Sequence, residues 1–181
     1  DKMVDIIVKN AGVRWRPHTK AMKTPELAQK LLDAGASGIT CAKLGEAEVM
    51  ADAGITDILV ANQIVGPQKI ARLVELRHRA DVMVLVDSKE NIDALDRAAR
   101  ERGIIIKVLV EVDVGMDRAG VKPGEPVLEL AKRIKESKGL KFSGIQTWEA
   151  HTLEITPLEK KERAVAEAIK RFVDSAELCR K

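Results

Sequence analysis

Short apolar runs alternate along this chain with longer stretches of helical period. Val82-Met83-Val84-Leu85-Val86 and Ile104-Ile105-Ile106-Lys107-Val108-Leu109-Val110 are nearly continuous apolar runs, the signature of parallel strands buried on both faces. With weaker runs elsewhere, the pattern predicts strands over 13–19, 38–42, 57–61, 81–87, 104–113 and 141–148. A helix over 2–10, stopped by Gly12, precedes them. Helices are predicted between the strands at 25–34, 45–53, 67–79, 88–102 and 126–137, with a last one over 158–180. Pro25 and Pro67 open two of them, Thr24 and Ser88 stand at cap positions, and Gly35, Gly54, Gly103 and Gly139 punctuate the ends, as helix start and stop chemistry requires. The last helix places Val165, Ala168, Ile169, Phe172 and Val173 on one face.

Six βα units in a row imply a parallel sheet with right-handed crossovers. No Gly-x-Gly-x-x-Gly follows the first strand, so a barrel is expected rather than a dinucleotide-binding sheet; an open six-stranded sheet is the alternative. A complete eight-unit barrel takes about 250 residues, and this chain has 181. The expected fold is therefore an α/β, (β/α) barrel lacking about two units, one domain over 1–181 without an internal boundary. A chain that starts at Asp1 and stops within a charged helical run reads as part of a longer protein.

Composition narrows the function classes. The chain is 45% apolar and 33% charged, which is globular usage. No run of about 18 apolar residues exists and the amino terminus lacks a signal-peptide pattern, so a cytoplasmic protein without a membrane partner is expected. A net charge of +3 spread over mixed signs, with 2% aromatic residues, argues against a nucleic-acid partner. Cys41 and Cys179 are far apart and read as free thiols. With no tyrosine in the chain, a phenolic acid or base is excluded.

Parallel barrels gather chemistry at the carboxyl ends of their strands. Those ends carry His18 and Lys20; Cys41 and Lys43; Asn62 and Gln63; Asp87; Asp113 and Arg118; and Gln146, Trp148, Glu149 and His151. Lys20 stands out, because a lysine on that rim can attack a carbonyl. Arg16, Lys23 and Arg118 are expected to surround it with positive charge. Plainer roles compete: Asp87-Ser88 reads as a helix cap, Asp113 and Arg118 as a structural loop pair, and Lys43 and Glu46 as a solvated pair.

Several blocks resemble a known family. Arg16-Pro17-His18-Thr19-Lys20-Ala21-Met22-Lys23 resembles the pyridoxal-phosphate lysine motif of the D-threonine aldolase and D-serine dehydratase family, whose amino-terminal barrel is of the alanine-racemase type. The resemblance continues through 38–48, 57–63, Glu111-Val112-Asp113-Val114-Gly115-Met116-Asp117-Arg118-Ala119-Gly120, and Gly144-Ile145-Gln146-Thr147-Trp148-Glu149-Ala150-His151. These blocks occur in order over nearly the whole chain. Family members often have histidine at the position of Met22, and tyrosine and glycine at those of Trp148 and Ala150.

The resemblance implies an alanine-racemase-type barrel and pyridoxal phosphate (PLP) held covalently by Lys20. It implies Arg118 near the cofactor's phenolic oxygen, Gln63, Trp148 and His151 lining the cofactor pocket, and a supporting catalytic role for His18. The substrate class it implies is a β-hydroxy D-amino acid, cleaved by retro-aldol reaction to glycine and an aldehyde. β-Elimination of the D-serine dehydratase kind is the first alternative. A non-catalytic barrel fragment or PLP-binding module is another, and a barrel aldolase in which Lys20 attacks a keto substrate directly is a third. It implies a homodimer, and a divalent metal ion whose ligands, like the phosphate-binding loop and a carboxyl-terminal β domain, lie outside this chain.

Overall fold

A computed structural model describes residues 12–180 together with residues 4, 6 and 7. The helix expected over 2–10 thus lies mostly outside the described residues. Five strands follow chain order in one sheet, β1–β2–β3–β4–β5. They are β1 (Ile39–Cys41), β2 (Asp57–Gln63), β3 (Asp81–Val86), β4 (Ile106–Val112) and β5 (Leu140–Thr147). Helices α1 (Pro25–Asp33), α2 (Leu44–Asp52), α3 (Pro67–Arg77), α4 (Lys89–Glu101), α5 (Glu125–Glu136) and α6 (Leu158–Arg180) alternate with them. The chain divides into two compact units, Asp1–Val84 and Leu85–Lys181.

In the first unit, β1 and β2 pair in parallel, Ile39 with Ile58 and Cys41 with Val60. The continuous apolar runs are buried as parallel strands should be: Ile39, Ile58, Val60, Val82 and Val84 are all sealed from solvent. From α2, Leu44, Ala47 and Met50 join this core, and from α3, Ile70, Leu73, Val74 and Leu76. The strand expected over 13–19 forms only in part. Its one bridge joins His18 to Thr40, through Thr19 N–H to Thr40 O at 2.7 Å and Thr40 N–H to Pro17 O at 2.8 Å. Pro17 has no N–H to contribute to a ladder, and Val13 is exposed, so the apolar run has neither the donors nor the burial for a full strand. Arg16 stitches this segment down, donating to Ile39 O at 3.4 Å and Asp57 O at 3.3 Å and pairing with Asp57 at 2.9 Å.

In the second unit, β4 and β5 pair in parallel with a bulge at Ser143-Gly144: Val108 faces Phe142, but Val110 faces Ile145. Ile92, Leu95 and Ala99 of α4 and Val127, Leu130 and Ile134 of α5 pack into the core with Ile106, Val108 and Val110. Ser88 caps α4 by accepting from Asn91 N–H at 3.2 Å. The apolar face expected of α6 is only partly covered. Ala168 is buried, whereas Ile169 and Val173 are exposed. The buried polar position of that helix is Ser175, which accepts from Gly124 N–H at 2.9 Å. No helix among the described residues is long and apolar enough to cross a membrane.

Candidate active site

Lys20 lies just beyond the bridge between His18 and Thr40, and its side chain is exposed. Its backbone is fixed by its neighbours. Thr19 is buried, and its N–H and Oγ1 both donate to Thr40 O, at 2.7 and 3.0 Å. Lys20 N–H donates to His18 Nδ1 at 3.2 Å. His18 and Lys20 are therefore brought together, as expected for a shared rim. Burial, and the charge of Lys20 next, push the His18 imidazolium below its ordinary range, against the opposing pull of Glu46 and the Thr40 carbonyl. This histidine is held toward its neutral form, with Nδ1 engaged as acceptor.

The positive surround expected for Lys20 carries its own counter-ions. Arg16 is tied to Asp57, and Lys23 reaches Glu46 at 3.6 Å. Glu46 also accepts from Ala42 N–H at 2.9 Å, so its partners are Lys23 and a backbone amide rather than Lys43. Cys41, expected on the rim, does not face solvent there. It is fully buried 3.6 Å from Thr19 Oγ1, and burial pushes its thiol up despite the Thr19 hydrogen bond. Thr24 does not cap α1 with its hydroxyl, which donates to Met22 O at 2.7 Å. Gln63 ends β2, half-buried, and its N–H donates to Asn62 Oδ1 at 2.9 Å.

In the second unit, Arg118 stands exposed in the loop after β4. That loop is built on Asp113. Its Oδ1 accepts three amides, from Gly115 at 3.0 Å, Met116 at 2.8 Å and Asp117 at 3.0 Å. Burial alone would raise the Asp113 carboxyl, but the amide donors and nearby His151 outweigh it and hold it below the usual carboxylate range. The loop closes where Asp113 N–H donates to Val121 O at 2.8 Å and Val121 N–H to Glu111 O at 2.9 Å. Asp113 thus organises backbone, which replaces the expected Asp113–Arg118 pair as its structural role.

Trp148 follows β5 directly and is 41% exposed. His151 sits in a short 3-10 turn, Ala150–Thr152, over Gly115. A Cβ on Gly115 would meet His151 Nε2 at 2.7 Å, so glycine is what lets the ring approach. His151 and Gly115 line a cavity of about 250 Å³ together with Glu167 and Arg171 of α6. Arg171 pairs with Glu167 and donates to Val114 O at 3.4 Å. Nothing in the sequence marks Arg171, because its helix looks like any amphipathic surface helix. Among the described residues no group of three or more His, Cys, Asp or Glu side chains could hold a metal ion.

Sequential parallel strands alternating with helices are the architecture of an alanine-racemase-type domain. The chain belongs to the family described as alanine racemase, N-terminal domain, whose profile matches residues 3–181. It is 38% identical to the D-threonine aldolase of an Arthrobacter species over 168 residues, covering 93% of this chain and 44% of that protein. It is 36% identical over 161 residues to the D-threo-3-hydroxyaspartate dehydratase of a Delftia species, covering 84% of this chain and 42% of that protein. The crystal structure of D-threonine aldolase from Filomicrobium marinum superposes with a TM-score of 0.94 at 36% identity, covering 98% of this chain and 48% of that one. The chain therefore spans less than half the length of these relatives.

Proposed function

We propose that this chain supplies the lysine-bearing part of a PLP-dependent lyase that cleaves a β-hydroxy D-amino acid to glycine and an aldehyde. The observation that supports this most is the setting of Lys20. It is an exposed primary amine on a backbone fixed by Thr19 and His18, in a chain 38% identical over 93% of its length to a D-threonine aldolase. The residues present suit the cofactor: an accessible amine for its aldehyde carbon, and an exposed guanidinium, Arg118, for its anionic phenolic oxygen.

When bound, PLP supplies an electron sink for charge developing at the substrate's α-carbon. The chain's own residues hold and orient. Lys20 would hold the cofactor through Nζ. His18, held toward neutrality, holds the Lys20 backbone through Nδ1 and keeps added positive charge off that rim. Arg118, with its planar, charged guanidinium, would hold the phenolic oxygen. Gln63, Trp148 and His151 complete the proposed lining. A divalent metal ion, with ligands outside these 181 residues, and a homodimeric assembly belong to the same proposal.

A second reading, β-elimination, is favoured by the similarity to the Delftia dehydratase. Product analysis separates the two. The protein from its complete reading frame, loaded with PLP and a divalent metal and given β-hydroxy D-amino acids, should release glycine and an aldehyde in equal amounts. Release of ammonia and a keto acid instead would establish the dehydratase reading. No turnover of either kind by a coloured protein would leave a PLP-binding module.

A further inference from the structure

We propose that Asp87 is a positioning residue that latches the Arg118 loop, an inference that rests on reading Arg118 as the contact to the cofactor's phenolic oxygen. Asp87 follows β3, where its simplest role would be to cap α4. The structure gives that task to Ser88, whose Oγ accepts from Asn91 N–H. The Asp87 carboxylate reaches instead along the chain to Gly120, accepting its N–H on Oδ2 at 3.0 Å.

Gly120 lies two residues beyond Arg118, in a loop that does not hold its shape by local preference. Asp117, just before Arg118, has φ +50 and Gly120 has φ +103, both in the region that L side chains avoid. Such a conformation persists only where its surroundings fix it. Asp113 fixes the near side, accepting from 115–117. The bridge between Val112 and Val121 closes the base. Asp87 is the side-chain restraint on the far side, and it comes from just beyond a different strand, so it ties the loop to the end of β3. Arg118 sits between the two carboxylate-held stretches. With both in place the backbone on either side of Arg118 is held by a carboxylate; without Asp87 the far side keeps only the Val121 bridge.

The test uses the protein from its complete reading frame in two states. In the cofactor-free state, hydrogen exchange of the 113–121 segment reads the latch. In the PLP-loaded state, the absorbance maximum and its pH dependence read how well Arg118 meets the phenolic oxygen. Asp87→Ala should speed exchange of the segment about tenfold, the size expected for losing a charge-assisted hydrogen bond, and shift the spectrum in the direction that Arg118→Ala does. Asp87→Asn, which keeps an acceptor oxygen for Gly120 N–H, should fall between wild type and Asp87→Ala in both measurements, and it serves as the test if Asp87→Ala does not fold. Unchanged exchange in both variants would overturn the latch. Faster exchange with a wild-type spectrum, while Arg118→Ala shifts it, would overturn the positioning role. A wild-type spectrum in Arg118→Ala would remove the cofactor contact and the proposal with it, whatever the exchange shows.

Discussion

Gly120 offers a quantitative test of the Arg118 loop. A Cβ added there would lie 2.8 Å from Asp113 N, 3.0 Å from the Val112 carbonyl carbon and 3.1 Å from Glu111 O. All three are backbone atoms at the end of β4, so none can rotate aside. Its φ of +103 would strain an alanine by about 1–3 kcal/mol, and forcing a methyl group against fixed atoms costs about 1–3 kcal/mol more. Gly124 separates the two effects. Its φ is +92, but nothing lies within 4 Å of an added Cβ, so Gly124→Ala carries backbone strain of about 1–3 kcal/mol without the clash. Gly120→Ala should therefore be less stable than Gly124→Ala by about 1–3 kcal/mol. In a domain of this size that corresponds to a melting temperature roughly 2–12 °C lower, measurable by thermal unfolding followed by circular dichroism. Equal melting temperatures would refute the reasoning, because they would mean that the β4 backbone yields freely at this point.

Two pH predictions follow from the charged groups. Folding holds His18 below its ordinary value of 6.5, so the unfolded chain binds the proton more readily. Stability should fall as pH drops below 6.5 toward the folded value, and His18→Asn should remove that slope from urea midpoints; a slope that persists in the variant would assign it to another group. Asp113 is the opposite case. Folding favours its carboxylate, so its contribution is complete well above 3.8 and is lost as pH falls through the lower folded value. Asp113→Asn keeps an acceptor oxygen without the charge. Its stability deficit at neutral pH should close over that acid window, and a deficit independent of pH would contradict the charge-based account.

Much of the fold was legible because burial writes itself into short apolar runs. β3 and β4 lie within the strands predicted over 81–87 and 104–113, and α1, α2 and α4 each end two residues before the glycine expected to stop them. The first strand was overread, since an apolar Val13 and Trp15 look like a strand while Pro17 withholds a donor. The α6 face was overread for a related reason: period alone does not say which apolar residues find a partner, and Ile169 and Val173 do not within the described residues. Lys20 was singled out by its place at a strand end and then by the ordered motif blocks, and the role proposed for Arg118 came from those blocks, because an isolated arginine has no local signature. The geometry holding them was not legible at all. Asp87 meets Gly120 across 33 positions, and Asp113 turns its carboxylate onto three amides, contacts that spacing cannot encode.

The central claim is that Lys20 is the lysine that holds PLP. Borohydride reduction of the PLP-loaded protein, followed by peptide mapping, tests it most directly. The account predicts one phosphopyridoxyl group, on Lys20, and a colourless Lys20→Ala protein with no such adduct. Modification of Lys23 or Lys43 instead, or a Lys20→Ala protein that keeps its colour, would contradict it.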